Sequence, residues 1–187
     1  MDDDGDFTSF KGQLLIASAS LVDPNFHRTV VLVTEHTEEG AMGVVLNRRS
    51  STSVTEAVPH LGALAADDDW VYVGGPVQPQ AVVALAELED ESAAAAVAFG
   101  DVGFLPSDAD PDEIAPAVRR VRVFAGYAGW AAGQLESELE ESAWILEPAE
   151  PEDVFSTAPE SLWSEVLRRK GGPYAVLALM PPDPSMN

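Results

Sequence analysis

Residues 30–47 read VVLVTEHTEEGAMGVVLN. Val30–Val31–Leu32–Val33 is rich in β-branched residues and apolar at consecutive positions, as in a strand covered on both faces. Thr37–Glu38–Glu39–Gly40 is a turn, with Gly40 supplying backbone freedom. Ala41–Asn47 returns as a second strand. Two strands joined by so short a loop pair antiparallel, as a β-hairpin. A pure strand–helix–strand repeat has no place for that hairpin. The chain is therefore read as α+β, with a mixed or antiparallel sheet.

Outward from the hairpin, Gly12–Ala17 reads as an earlier buried strand and Asp23–Pro24–Asn25 as a turn. Ser53-x-x-Glu56 is a capping-box pattern opening a helix to about Leu64, shortened by Pro59 and Gly62. Trp70–Val73, Ala95–Phe99, Val121–Ala125 and Trp144–Leu146 read as strands. Ala81–Leu85 fits strand or helix. Residues 107–120 read as a helix, acidic first and basic last, which suits the macrodipole. Gly126 and Gly129 read as an elbow from strand to helix, with Leu135, Leu139 and Ala143 on one helical stripe. A last helix carries Leu162, Trp163, Val166 and Leu167, and Gly171–Gly172 stop it.

The 187 residues favour one domain, and 46% hydrophobic residues are enough for a core without covalent staples. The expected organisation is a disordered acidic leader over 1–10 and one domain over 11–187. There are no cysteines and three histidines, His27, His36 and His60, so disulfides, thiolate metal sites and cysteine nucleophiles are excluded. The net charge of −22, from 32 acidic and 10 basic residues, repels phosphate backbones and argues against direct nucleic-acid binding. No apolar run approaches the about 20 residues that span a bilayer, and the N-terminus lacks the marks of a signal peptide. The expectation is a cytoplasmic protein with no membrane attachment.

Gly-x-Ser-x-Gly, Gly-x-x-x-x-Gly-Lys and His-Glu-x-x-His motifs are all missing. Gly126-x-x-Gly129-x-x-x-Gly133 does not have dinucleotide spacing, and Glu136, Glu138, Glu140 and Glu141 follow it, so a phosphate cradle is disfavoured. Those glutamates read as a solvated helix face before a metal site. Arg28 could bind an anion bidentately or pair with a local carboxylate such as Glu35 or Asp23. Glu35–His36 resembles an acid–base pair, but adjacent strand residues face opposite sides. Gly74–Gly75–Pro76 allows close backbone approach, either to a ligand or to another chain segment.

Together these pieces resemble the YqgE/AlgH family. The first motif is Asp23-Pro24-x-Phe26-x-Arg28-Thr29-Val30-Val31, with Glu35-His36, Gly40-Ala41-Met42-Gly43 and Asn47-Arg48. The second is Gly74-Gly75-Pro76-Val77. The third is Gly126-Tyr127-Ala128-Gly129-Trp130 with Gly133-Gln134-Leu135-Glu136 and Trp144. The resemblance covers about residues 10–170. The C-terminal Pro181–Asn187 tail is similar to that of actinobacterial members. One departure is the segment after Val77, which lacks the family's Arg-Gly-Phe-x-Leu-His pattern.

The resemblance implies a cytosolic protein whose single compact α+β domain packs a coiled mixed, largely antiparallel sheet against helices. No accepted enzymatic activity goes with it, and one branch carries a transcription-regulator label without a DNA-binding motif. The first reading is a binding or regulatory module for an unknown small molecule or protein partner, with no cofactor, no metal and no catalytic residue assigned. Its expected cleft draws on Asp23, Phe26, Arg28, His36, Asn47, Gly74, Gly75, Pro76, Tyr127, Gly129, Trp130 and Gln134. The alternative is an enzyme of unassigned activity, hydrolysis being one option, that uses a cleft with Arg28 and Glu35 or His36.

Overall fold

The computed structural model describes residues 7–182. The first six positions of the acidic leader and residues 183–187 of the tail lie outside it. The chain runs through β1 (Gln13–Ala17), β2 (Val30–Thr37), β3 (Gly40–Val45), β4 (Arg49–Ser53), α1 (Val54–Ala57), β5 (Trp70–Val73), β6 (Val77–Leu88), β7 (Ala96–Phe99) and β8 (Val102–Phe104). It continues through α2 (Pro111–Ile114), β9 (Val118–Ala131), α3 (Gln134–Glu140), β10 (Trp144–Pro148), α4 (Pro151–Val154), α5 (Pro159–Lys170) and α6 (Pro173–Leu177).

The strands form one 10-stranded sheet in the order β10-β1-β2-β3-β9-β6-β8-β7, with β5 joining β4 to β9. Every pair is antiparallel except β5 with β9. The fold is thus α+β with a mixed, largely antiparallel sheet. The hairpin of β2 and β3 pairs Thr37 with Gly40, so its loop closes over Glu38 and Glu39.

β1 and β2 are buried on both faces, as their unbroken apolar runs require. On one face Leu14, Ile16, Leu32 and Phe124 pack against Leu162, Trp163 and Val166 of α5. On the other Leu15, Val31, Val33 and Ala128 pack with Trp130, Trp144 and Leu135 of α3. A third cluster holds Val71, Ala84, Ala86 and Val123 beneath Val54, Val58 and Leu61.

Two readings are corrected. The expected helix over 107–120 is only α2 followed by a 3-10 turn at Ala115–Ala117, where Pro116 sits, and Val118 already pairs with Leu88. The expected elbow at Gly126–Gly129 is the continuing β9: Tyr127 pairs with Val77 and Gly129 with Met42. The chain turns only at Gly133, in the left-handed conformation, and α3 ends before Ala143. β9 stitches the sheet together, pairing with β6 and β5 by its first half and with β3 by its second. Ser53 does cap α1, accepting from the Glu56 N–H at 3.2 Å.

Candidate functional site

The Asp23–Arg28 turn is held by its own residues and by Asn47 and Arg48, just before β4. Asp23 Oδ1 accepts from the Asn25 N–H at 2.8 Å. Arg48 reaches over the turn and donates to the carbonyls of Asn25 at 2.6 Å and Pro24 at 2.8 Å. Burial lowers the Arg48 pKa, opposed by Asp23. Asn47 Oδ1 accepts from the Val30 N–H and its Nδ2 donates to the Arg28 carbonyl.

Phe26 and Arg28 leave this turn toward opposite faces. The Phe26 ring lies 5.6 Å from Trp144 and 6.4 Å from Trp130 on the α3 face. The Arg28 guanidinium stacks 4.0 Å over Trp163 of α5 and donates to the Met180 carbonyl. Arg28 therefore makes neither of the carboxylate contacts weighed for it.

Gly74, Gly75 and Gly126 make a close backbone crossing. A Cβ on Gly74 would stand 2.3 Å from the Gly126 carbonyl oxygen. Gly74 N–H donates to the Ala125 carbonyl and Gly74 O accepts from Val45, so the crossing ties β5, β9 and β3. Asn25, Arg48, Gly75 and Pro76 line a small cleft of about 60 Å³ beside it.

Trp130 and Gln134 join a different cluster. The indole N–H groups of Trp130 and Trp144 both donate to Glu138 Oε2 at 2.8 Å. Gln134 Nε2 donates to Glu138 Oε1, and Gln134 Oε1 accepts from the Ala131 N–H. His36 is buried, with Nδ1 accepting from the Phe10 N–H at 2.9 Å and Nε2 donating to Glu136 at 2.8 Å. The proton on Nε2 follows from Nδ1 being an acceptor. Glu35 faces outward beside Lys11. Two of the four glutamates, Glu136 and Glu138, thus anchor imidazole and indole N–H groups, Glu136 with its side chain still 37% exposed.

The expected cleft residues thus fall into separate groups. Gly74, Gly75 and Pro76 lie at the end of β5, while Asp23 and Asn47 belong to the neighbouring turn, which reaches that end through Asn25 and Arg48. Phe26, Trp130 and Gln134 lie on the α3 face, and Arg28 lies on the α5 face. Tyr127 and Gly129 sit in β9, and His36 is at the far end of β2. Asp23, His36, Asn47, Trp130 and Gln134 have hydrogen bonds inside the protein, and Arg28 has one, to the Met180 carbonyl.

Side chains with spare capacity collect elsewhere. A pocket of about 210 Å³ is lined by Arg49, Asp68, Asp69, Trp70, Tyr72, Arg122 and Thr157. Strand register builds it: Arg49 on β4 pairs with Tyr72 on β5, and Tyr72 pairs with Phe124 on β9, two residues beyond Arg122. The Arg122 guanidinium lies 4.3 Å over the Tyr72 ring. Its Nη1 donates to the carbonyls of Ser156 at 2.7 Å and Val154 at 3.2 Å, and Nε and Nη2 make no hydrogen bond within the described residues. The Tyr72 hydroxyl has no partner there either. No buried side-chain nitrogen or oxygen among the described residues lacks a partner. These three groups therefore open to solvent, although Tyr72 is only 4% exposed.

Burial lowers the Arg122 pKa, opposed by Tyr72 and Asp69. Burial raises the Tyr72 pKa, opposed by Arg122 and Arg49. The other strand arginines are spent: Arg119 on Glu89 and Asp101, Arg120 on Glu87 and Glu152. Neither Arg49 nor Arg122 has a carboxylate within 4.0 Å among the described residues. Trp70 also stands apart. It is 37% exposed, while the indole N–H groups of Trp130, Trp144 and Trp163 all have protein acceptors. Sequence reading missed this group. Its only signal was alternation, Trp70 with Tyr72 and Arg120 with Arg122, each pair on one strand face.

Residues 14–175 match the family model described as AlgH-like. A UPF0301 protein of Streptomyces coelicolor is 43% identical over 186 residues, covering 96% of each chain. A UPF0301 protein of Rhodococcus jostii is 45% identical over 181 residues, 94% of this chain and 90% of its own. A crystal structure from Corynebacterium diphtheriae superposes with a TM-score of 0.86 at 31% identity, covering 93% of this chain and 94% of that one. The solution structure of the AlgH protein from Pseudomonas aeruginosa gives 0.71 at 33% identity, covering 91% and 94%.

Proposed function

This chain belongs to the AlgH-like family, and on that premise we propose that it is a cytoplasmic binding module. It takes up a small molecule in the Arg49–Trp70–Tyr72–Arg122 pocket and transmits occupancy to a protein partner. The single observation behind this reading is the contrast in hydrogen bonding. His36, Asn47, Gln134 and Glu138 spend their polar groups on the fold, and the Arg28 guanidinium lies against Trp163, away from any pocket with a second cation among the described residues. Tyr72, Arg122 and Arg49 aim unspent donors into one pocket. Surfaces that keep unpaired donors beside an exposed ring are suited to recognition.

The Asp23–Arg28 turn, Gly74–Pro76 and Tyr127–Trp130 then serve chiefly as framework. Any regulatory role runs through that partner and not through DNA, since a chain of net charge −22 is repelled by phosphates.

The test is a thermal-shift screen of small metabolites on the full chain, repeated with Tyr72→Phe and Arg49→Gln. A ligand at 100 times its Kd adds about 2.7 kcal/mol, or roughly 5–10 °C for a domain of this size. Hits that lose their effect in both variants support the pocket. Hits indifferent to both variants contradict it, as would a gel shift of duplex DNA at physiological salt.

A further inference from the structure

We infer that the Arg49–Trp70–Tyr72–Arg122 pocket selects a small aromatic monocarboxylate. This names the ligand class for the pocket and rests on its being a recognition site.

The charge argues first. Two guanidiniums without carboxylate partners face one space, and such groups bind a planar oxyanion through parallel N–H donors. Arg122 is preset for this. Its Nη1 is pinned by the Val154 and Ser156 carbonyls, which leaves Nε and Nη2 as the open edge. The Tyr72 hydroxyl adds a third donor beside it, since Arg122 lies directly over its ring.

Asp68 and Asp69 line the same pocket and set an upper limit on ligand charge. A phosphate monoester carries about −1.5 to −2 at neutral pH. It would meet both aspartates and the field of a strongly acidic protein. A carboxylate carries a single charge, which the two guanidiniums can satisfy despite the aspartates.

The ring requirement comes from Trp70. It is one of four tryptophans and lies half open on the pocket wall, with the Arg49 guanidinium 5.9 Å over its ring. An exposed indole face and a guanidinium plane form a stacking surface for a flat ligand. The volume of about 210 Å³ is below the usual range for drug-sized ligands, so the ligand is of single-ring size.

The experiment is a nuclear magnetic resonance titration of the full ¹⁵N-labelled chain with benzoate, benzamide and inorganic phosphate. Benzamide keeps the ring and shape and lacks the charge. Benzoate is expected to shift the Trp70 indole N–H and the Arg122 Nε–H saturably. Benzamide is expected to bind roughly tenfold more weakly or worse, the loss of a charge-assisted hydrogen bond. Tyr72→Phe, which keeps the packed ring, and Arg49→Gln, at an exposed position, are each expected to weaken benzoate several-fold. Asp68→Asn removes a competing carboxylate and is expected to strengthen it.

Equal binding of benzoate and benzamide would overturn the carboxylate assignment. Tighter binding of phosphate than of benzoate would overturn the charge argument. Silence at Trp70 toward all three probes would overturn the ligand class. The pocket itself would still stand if metabolite hits from the thermal-shift screen move the Trp70 resonance, so the two failures are distinguishable.

Discussion

Gly75 and Gly126 lie back to back, so close that a Cβ on Gly126 would stand 2.4 Å from the Gly75 carbonyl oxygen. The two segments they belong to, the exit of β5 and the middle of β9, cross with no room for side chains. Gly126 also has φ 75, in the left-handed region.

Gly126→Ala is therefore expected to be severely destabilising. It combines left-handed strain of about 1–2 kcal/mol with a displacement of β5 from β9, for a total above roughly 4 kcal/mol. Urea denaturation measures it. Gly133→Ala is the control: Gly133 is also left-handed, but nothing lies within 4 Å of its added Cβ, so its loss should be confined to about 1–2 kcal/mol.

Glu138 links the third sequence motif into one unit. Glu138→Ala would strand the indole N–H groups of Trp130 and Trp144, which are 6% and 5% exposed. An unsatisfied buried donor costs about 1–3 kcal/mol, so a loss of roughly 3 kcal/mol is expected, with altered near-ultraviolet circular dichroism. Glu138→Gln keeps an acceptor oxygen and should recover about half of that loss. A neutral effect of Glu138→Ala would mean that these bonds add little in solution.

How much of this was legible in sequence depends on the range of the interaction. The β2–β3 hairpin is local, and its β-branched run and Gly40 announced it. The helix stop at Gly171 was equally local. The length of β9 was not visible, because Gly126 and Gly129 look like breaks when neighbours in space are unknown. Gly126 is a glycine because another backbone passes against β9, not because the chain turns, whereas a Cβ on Gly129 would meet only ordinary side-chain contacts. The helix reading of 107–120 failed for a related reason. Arg119 and Arg120 seemed placed for a helix C-terminus, but they serve carboxylates across the sheet. Of the expected site residues, the Asp23–Asn25 turn and the close approach at Gly74–Gly75 were legible, but not that Phe26 and Arg28 part company or that Tyr127–Trp130 lie in a strand. The Arg49–Trp70–Tyr72–Arg122 pocket depends on the register of three strands far apart in the chain, which single-sequence periodicity does not carry.

Arg48 holds the Asp23–Arg28 turn by three backbone carbonyls, those of Asn25, Pro24 and His27. Arg48→Ala is expected to cost about 1–2 kcal/mol and to speed amide hydrogen exchange in residues 25–28 while leaving α5 protected. Uniform loss of protection across the sheet would show that the clamp supports the whole fold.

Salt should stabilise this protein. With a net charge of −22, self-repulsion opposes the compact state, and ions screen it over a Debye length of about 10 Å at 0.1 M. Screening also weakens exposed pairs such as Arg119–Glu89, but such pairs contribute little individually. The melting temperature is expected to rise between low salt and molar sodium chloride. A fall would mean that surface ion pairs outweigh the excess charge.

The most direct test of the binding proposal follows the indole N–H resonances of the four tryptophans while stabilising ligands are added. Trp130, Trp144 and Trp163 donate to acceptors inside the protein, and Trp70 lines the pocket. The expected result is that ligands raising the melting temperature move the Trp70 resonance first and leave the other three nearly in place. Ligands that stabilise the protein while shifting Trp130, Trp144 or Trp163, with Trp70 unmoved, would contradict it.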